Sequence, residues 1–139
     1  MIASRVLRSC ALVVLAMLAC QSASAQPGGD PSGTWLTESG SKVRVARCGS
    51  GYCGILASTT GSGLDVNNPD PALKTRKLVG VQILSTTSPT ADGFEGTLYN
   101  PNDGKTYSGS MTPKGADHLA VSGCVLRVLC KSQTWTRVK

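Results

Sequence analysis

Two polar segments carry most of the side chains that could do chemistry. The first is "DVNNPD" at residues 65–70, and the second is "NPNDGK" at residues 100–105. These segments and their flanks supply the candidate ligand-binding residues: Asp65, Asn68, Asp70, Tyr99, Asp103 and Tyr107. If the two segments met in space, Asp65 and Asp103 could hold one proton between them, which is how an acid–base site begins.

Other interpretations of these segments involve metal or turn structure. Oxygen ligands at this density can hold calcium, but the spacing of the twelve-residue calcium loop is absent. Asn, Asp and Pro are also ordinary turn formers, so we predict turns, no metal site and no cofactor. Nucleophilic catalysis has little support, because His118 is the one histidine and no Gly-x-Ser-x-Gly elbow or phosphate-binding loop occurs. We therefore predict that the protein is not an enzyme.

The amino-terminal residues have the order of a secretory signal peptide. Arg5 and Arg8 precede an apolar run at residues 11–19, and "ASA" at residues 23–25 offers small side chains to a signal peptidase. The run is too short for a stable membrane anchor. We expect cleavage after Ala25 and a periplasmic or secreted bacterial product without a transmembrane segment.

The cysteines also indicate an exported protein. Cys10 and Cys20 lie in the predicted leader, and "MLAC", which ends at Cys20, leaves open a second route in which this cysteine carries a lipid anchor. Four cysteines remain in the mature chain: Cys48, Cys53, Cys124 and Cys130. An even number in an oxidising compartment predicts two disulfides, with three possible pairings. The local pairing would suit two short hairpins, whereas zinc and redox motifs prefer shorter spacings.

The charge of the chain is mildly basic. The formal net charge is +6, and two of these charges, Arg5 and Arg8, lie in the predicted leader, which leaves +4. The basic residues are scattered, and no aromatic residues are interleaved with them. We therefore interpret them as a solvated surface and predict no nucleic-acid partner.

Short alternating runs separated by Gly, Pro, Asn and Asp predict an all-β fold for residues 33–139. Val43 and Val45, for example, fall on one face of a strand. About eight strands are expected, which is enough to close a small antiparallel up-and-down β-barrel as a single domain. The polar stretch at residues 59–79 allows one short helix, and residues 26–32 are expected to form a flexible lead.

The order of several motifs resembles a known family. The motifs are "CGSGYCG", "DVNNPDPALKTRKLVGVQIL", "GTLYNPNDGKTYSGSM", "SGC" and "SQTWTR". From about Gly33 to Val138, the chain is similar to the bacterial exported family catalogued as domain of unknown function 2147. This resemblance implies a small barrel of the lipocalin and calycin group, and it implies no known activity.

The likeness to lipocalins also implies a role for residues near the two ends of the barrel chain. Lipocalins similarly begin with Gly-x-Trp and carry a late arginine that covers the tryptophan at the closed end. Gly33 and Trp35 match the first element, and Arg137 is the candidate for the second. Trp135 shares a strand face with Arg137, so the alternatives are that Arg137 shields Trp135 or points to solvent. We expect Trp35, Trp135 and Arg137 to close the barrel.

Two functions remain open at this point. The first is a cell-envelope protein that binds a small apolar or amphipathic molecule in or at the mouth of the barrel. The second is a filled barrel that serves as a structural or protein-interaction module of the periplasm and has no ligand. The expected inward positions would serve either function: Val43, Val45, Ile55, Val81, Ile83, Leu98 and Val121. The free volume inside the barrel distinguishes the two.

Overall fold

Eight β-strands close into one antiparallel barrel in the computed structural model, which describes residues 29–139. The strands are β1 (Gly33–Leu36), β2 (Lys42–Cys48), β3 (Gly51–Ser58), β4 (Gln82–Pro89), β5 (Phe94–Asn100), β6 (Lys105–Lys114), β7 (His118–Val125) and β8 (Leu129–Arg137). Each strand pairs with the next, and β8 pairs with β1. The predicted fold class is therefore confirmed. The predicted signal peptide and the alternative lipid site at Cys20 lie outside the described residues.

Strand β2 shows how the sequence alternation builds the barrel wall. Val43 and Val45 are buried, whereas Lys42 and Arg44 face solvent. Successive side chains of a strand point to opposite faces, so this pattern directs the valines into the interior. Burial of such apolar side chains is the main favourable contribution to the stability of the barrel.

In strand β3 the side chains that face the interior are not the ones that we expected. Ile55, which we expected inside, is 42% exposed, whereas Leu56 is 4% exposed. Gly54 occupies the inward position before Leu56, where an added Cβ would lie only 3.0 Å from the Cβ of Leu84 and 3.1 Å from Val43 Cγ1. The expectation for Ile55 was wrong because an inward glycine hides the apolar alternation.

The connections divide the barrel into a closed end and an open end. The turns β2–β3, β4–β5 and β6–β7 lie at the closed end, and the other four connections lie at the open end, as an up-and-down order requires. The β3–β4 segment (residues 59–81) is the longest of these, and it contains one turn of 3-10 helix at Pro71–Leu73. Residues 29–139 contain no helix that is long and apolar enough to cross a membrane.

Arg137 lies across the closed end and connects the first and last strands. Its Cζ lies 4.3 Å from the ring centroid of Trp35, with which it also pairs across the β1–β8 ladder. Its Nη1 donates to the carbonyl oxygen of Ser32 at 2.7 Å, and its Nε donates to that of Ala116 at 2.6 Å. A cation over an indole face contributes about 0.5–2 kcal/mol.

Part of the expected flexible lead packs against this closed end. The Trp35 indole Nε1 donates to the carbonyl oxygen of Pro31 at 2.8 Å, and Pro31 is itself buried. Trp135 is buried as well, at 3% exposure, but its indole Nε1 donates to Gln133 Oε1. Arg137 therefore covers Trp35, and the described part of the lead seals the same end.

Two disulfides join the ends of hairpins at opposite ends of the barrel. Cys48–Cys53 spans the β2–β3 turn at the closed end, and Cys124–Cys130 spans the β7–β8 turn at the open end. The structure therefore has the local one of the three pairings that the sequence leaves open. Each disulfide closes a short loop within one hairpin, so it constrains a turn and does not connect distant strands.

Replacing Cys124 and Cys130 together by serine is expected to lower the free energy of unfolding by about 2 kcal/mol, which is what the chain-entropy model assigns to so short a loop. Equilibrium urea unfolding without reductant measures this loss. The double replacement of Cys48 and Cys53 is the matched control at the closed end and is expected to cost a similar amount. No loss in either variant would contradict the chain-entropy explanation.

Candidate ligand-binding site

A pocket of about 840 Å³ lies at the open end of the barrel. Its walls come from apolar inner residues: Leu56, Ile83, Leu98 and Val121. Its rim includes apolar residues of the β3–β4 segment and of the β7–β8 hairpin: Leu64, Val66, Val125, Val128 and Leu129. Small-ligand pockets typically measure about 300–1,000 Å³. The barrel therefore opens at this end into a partly enclosed pocket that lies between the inner residues and the rim.

The pocket exists because the large inner side chains are concentrated toward the closed end. The largest of them are Trp35, Tyr52, Phe94, Met111, Leu119 and Trp135. Toward the open end the inner face carries aliphatic and polar residues and no tryptophan or phenylalanine, and Leu98 and Tyr107 pack over the inward Gly123, where an added Cβ would lie 3.3 Å from each. An unequal distribution of side-chain volume along the barrel axis thus fills one half and leaves the other open.

Strand β8 supplies a polar side to the pocket. Lys131 lies opposite Gly123, and Gln133 lies opposite Val121 in the β7–β8 ladder. Directly opposite residues share a face, so Lys131 and Gln133 are on the inner face, and both line the pocket. In the described part of the chain the ion pair is Arg76–Asp65, and Lys131 has no carboxylate partner. The polar side of the pocket therefore carries a cation, Lys131, that is not held in an ion pair within residues 29–139, while the carboxylate of Asp103 lies elsewhere on the rim.

Asp103 and Tyr107 form a hydrogen-bonded pair on the pocket rim. The Tyr107 hydroxyl donates to Asp103 Oδ2, and the backbone N–H of Lys105 donates to Asp103 Oδ1 at 2.9 Å. Burial acts to raise the pKa of Asp103, but these hydrogen bonds lower it overall. The bond to Asp103 raises the pKa of Tyr107. Near neutral pH the carboxylate is therefore ionised and the phenol is protonated.

Asp65 is fully buried in the β3–β4 segment and does not line the pocket. Its Oδ1 accepts from the Tyr99 hydroxyl at 2.5 Å, and its Oδ2 accepts from Asn68 Nδ2 at 2.8 Å. Arg76 Nε donates to Oδ2 at 2.8 Å, and Arg76 Nη2 forms an ion pair with the same oxygen at 2.8 Å. Burial acts to raise the pKa of Asp65, but these partners outweigh it and lower the pKa. Tyr99 follows the inward Leu98 on β5, so its side chain lies on the other face of the strand. Asp65 therefore attaches the β3–β4 segment to the back of a strand that helps to form the pocket.

The two polar segments meet, but they meet through Asn67. Its Nδ2 donates to the carbonyl oxygens of Pro101 and Asn102, at 3.1 and 3.0 Å. Gly104 has φ +70°, and a Cβ there would lie 1.8 Å from Asn67 O, so only glycine fits this contact. Across this junction the long β3–β4 segment is attached to the β5–β6 turn at the mouth of the pocket.

The carboxylates of Asp65 and Asp103 keep separate hydrogen-bond partners. A proton shared by two carboxylates would raise one of their pKa values. Instead the pKa of each carboxyl is lowered by its own hydrogen bonds, which outweigh the opposing effect of burial. The arrangement therefore does not support the acid–base pair that we considered from the sequence.

The six candidate ligand-binding residues divide into two groups. Tyr99, Asp103 and Tyr107 line the pocket. The structure does not bring the other three there: Asp65, Asn68 and Asp70. The exposed Asp70 caps the 3-10 turn, because its Oδ1 accepts from the N–H of Ala72 at 3.0 Å.

Sequence reasoning missed Lys131 and Gln133, which line the pocket, and Arg76, which neutralises Asp65. A signal for the first two was present in the alternation of strand β8. Lys131, Gln133 and Trp135 are two residues apart, so a strand that buries Trp135 also turns the other two inward. No comparable signal links Arg76 to Asp65, because the two are eleven positions apart in a segment that contains no strand of the barrel.

Acidification is expected to destabilise the fold in part through Asp65. Its pKa in the folded protein is lowered from the ordinary value of 3.8. The ionised carboxylate therefore contributes stability above the unfolded pKa, and this contribution is lost as pH falls through the folded pKa. Thermal unfolding from about pH 7 to about pH 2 measures the effect. In Asp65→Asn the melting temperature should fall less steeply with pH below about pH 4. A decline as steep as that of the wild type would show that Asp65 is not the source of the acid sensitivity.

Comparisons with known proteins identify both a family and a fold. A family model described as "Uncharacterized protein conserved in bacteria (DUF2147)" matches residues 33–137. The structure is similar to that of protein HP1028 from the human pathogen Helicobacter pylori, which is described as belonging to the lipocalin family. The TM-score is 0.70 at 21% identity, over 79% of this chain and 84% of that chain. This similarity shows a lipocalin-like fold. A comparison with curated proteins finds no match.

Proposed function

We propose that this chain, which belongs to the DUF2147 family of bacterial proteins, binds a small amphipathic molecule in the open end of its lipocalin-like barrel. The observation that carries the proposal is the pocket of about 840 Å³. A barrel of eight strands can be filled by its own side chains or can hold one small ligand. The free volume favours the ligand-binding role over the alternative of a filled structural or interaction module.

The lining of the pocket indicates the chemical class of the ligand. Its apolar wall, which includes Leu56, Leu98 and Val121, would bind a hydrocarbon chain, and each buried methylene contributes about 0.8 kcal/mol. Lys131 would attract an acidic head group, because it lies in the wall without a carboxylate partner in residues 29–139. We therefore propose an anionic amphipath with a single short apolar chain.

The proposed role is binding without catalysis. The carboxylates of the two polar segments, Asp65 and Asp103, both have a lowered pKa and already accept hydrogen bonds from tyrosine and other donors. Neither is poised as a general acid or base near neutral pH, because catalytic carboxyls of that kind usually have a raised pKa. This arrangement supports a site that recognises its ligand and does not transform it.

The proposed place of action is the bacterial periplasm or the medium outside the cell. Two disulfides are typical of proteins that fold in an oxidising compartment, and the leader sequence predicts export with cleavage after Ala25. An alternative product carries a lipid on Cys20. The intact mass of the processed protein distinguishes the two products, because only the second retains Cys20 with an added acyl mass.

Titration with dodecanoate tests this function, with 1-anilinonaphthalene-8-sulfonate as the fluorescent probe that dodecanoate displaces. We expect saturable displacement below the micelle concentration, with the highest affinity for dodecanoate, a lower affinity for dodecanol and the lowest for dodecylamine.

Lys131→Gln should weaken dodecanoate binding about fivefold and leave dodecanol binding unchanged, because a partly exposed charge pair is worth up to about 1 kcal/mol. Lys42→Gln, on the outer face of β2, is the matched control. No displacement by any of the three amphipaths would refute the proposal.

A further inference from the structure

The β7–β8 hairpin carries an apolar patch that no other part of residues 29–139 covers. Leu126, Val128 and Leu129 are 84%, 77% and 71% exposed, and Val125 is 46% exposed. We call these four residues the hairpin tip. Single exposed apolar residues are ordinary, but a contiguous group of this kind marks a surface for interaction. Three of the four also line the rim of the pocket, so the patch adjoins the proposed ligand entrance.

The backbone of the hairpin tip is restrained at the base of the turn. The disulfide Cys124–Cys130 and the pairing of Val125 with Leu129 close the turn. At its apex, Leu126 and Arg127 have φ values of +53° and +59°. This left-handed region favours glycine and is uncommon for a bulky side chain such as leucine. The N–H of Val128 donates to the carbonyl oxygen of Val125, so this is a tight β-turn whose two central residues, Leu126 and Arg127, project from the end of the hairpin.

The charged residues of the β7–β8 hairpin itself have one sign, and the nearest carboxylate on the pocket rim is that of Asp103 across the mouth. Residues 118–139 contain no Asp or Glu, whereas Arg127 lies at the apex and Lys131 follows the disulfide. An apolar surface with flanking cations is the combination that binds anionic lipid surfaces. A stable protein interface typically buries about 800 Å² on each partner, and a single narrow turn offers much less. The patch therefore suits insertion into a lipid interface better than docking on a protein.

We propose that the hairpin tip docks the protein on an anionic phospholipid bilayer, with Leu126 and Val128 among the acyl chains and Arg127 against the lipid phosphates. This inference rests on the proposed function, because docking at this end turns the pocket mouth toward a source of amphipathic ligand. The bilayer would be both the anchor for the open end and the phase from which the ligand enters.

Flotation of the processed protein with vesicles tests the docking proposal. The vesicles contain phosphatidylethanolamine and phosphatidylglycerol in equal parts, and a second set contains only phosphatidylcholine. We expect Leu126→Asn to weaken binding to the anionic vesicles about tenfold, through the loss of inserted apolar surface. Arg127→Asn should weaken it about fivefold on anionic vesicles and have no effect on phosphatidylcholine. Asparagine tolerates positive φ, so both replacements keep the turn.

Controls separate the docking proposal from the proposed function. Ile55→Thr removes a comparably exposed apolar side chain from the outer wall of β3 and should leave flotation unchanged. Leu126 and Arg127 do not line the pocket, so both Asn variants should still bind dodecanoate in lipid-free buffer. Wild-type protein that ignores anionic vesicles would overturn docking while leaving ligand binding intact. The protein could instead dimerise in a concentration-dependent way that Leu126→Asn abolishes. That result would overturn the docking proposal, because the hairpin tip would then bind a second copy of the chain.

Discussion

Replacing Asp65 by alanine is expected to lower the free energy of unfolding by about 3 kcal/mol. The variant leaves the Arg76 guanidinium without its counter-ion and the Tyr99 hydroxyl without its acceptor. Breaking a buried ion pair from one side usually costs about 3–5 kcal/mol, and the 34% exposure of the Arg76 side chain places the cost at the lower limit. Equilibrium denaturation at neutral pH measures the loss.

Asp70→Ala is the matched control for this prediction, because Asp70 belongs to the same motif but is exposed. Its carboxylate caps a single 3-10 turn, and loss of a cap costs about 0.5–2 kcal/mol in a full helix, so we expect the low end here. Equal and small losses for Asp65→Ala and Asp70→Ala would show that the buried carboxylate does not hold the β3–β4 segment in place.

Filling the pocket with the larger side chain of Leu98→Trp is expected to weaken dodecanoate binding about 100-fold. The indole would occupy space that three or four methylenes of the ligand need, and each methylene contributes about 0.8 kcal/mol. Leu98 lines the pocket and is only partly buried, so the added volume enters open space and should cost little stability. Displacement of the fluorescent probe measures the affinity.

Ile55→Trp makes the same kind of change outside the pocket and serves as its control. Ile55 is 42% exposed on the outer face of β3, so this variant should bind dodecanoate like the wild type. Unchanged affinity in Leu98→Trp would mean that the ligand binds elsewhere, and equal losses in both variants would indicate a general effect on the fold.

Local sequence pattern predicts the barrel well where inner residues are apolar and outer residues are polar. Strand β2 meets that condition, and Val43 and Val45 lie inside as expected. Strand β3 does not, because Gly54 points inward and carries no hydropathy signal. Between Gly54 and Ile55 the pairing register with β4 also shifts, and such a bulge depends on contacts between strands that no local pattern records.

The candidate site is less accessible to sequence reasoning than the fold. Tyr99, Asp103 and Tyr107 flank an obvious turn, and this turn lies at the pocket mouth. Asp65 belongs to an equally polar motif but lies outside the pocket. It contacts its partner Arg76 because the β3–β4 segment reverses direction and Leu64 pairs with Lys77. The cavity itself depends on how side-chain volume is divided between the two ends, which is a property of the assembled barrel.

The most direct measurement is an NMR titration of ¹⁵N-labelled processed protein with dodecanoate. We expect saturable shifts in the backbone amides of the open half, including those of Leu98, Val121 and Gln133, while the indole signal of Trp35 at the closed end stays unchanged. Shifts confined to the closed end or the outer wall, or no saturable shifts at all, would contradict a ligand site inside the barrel.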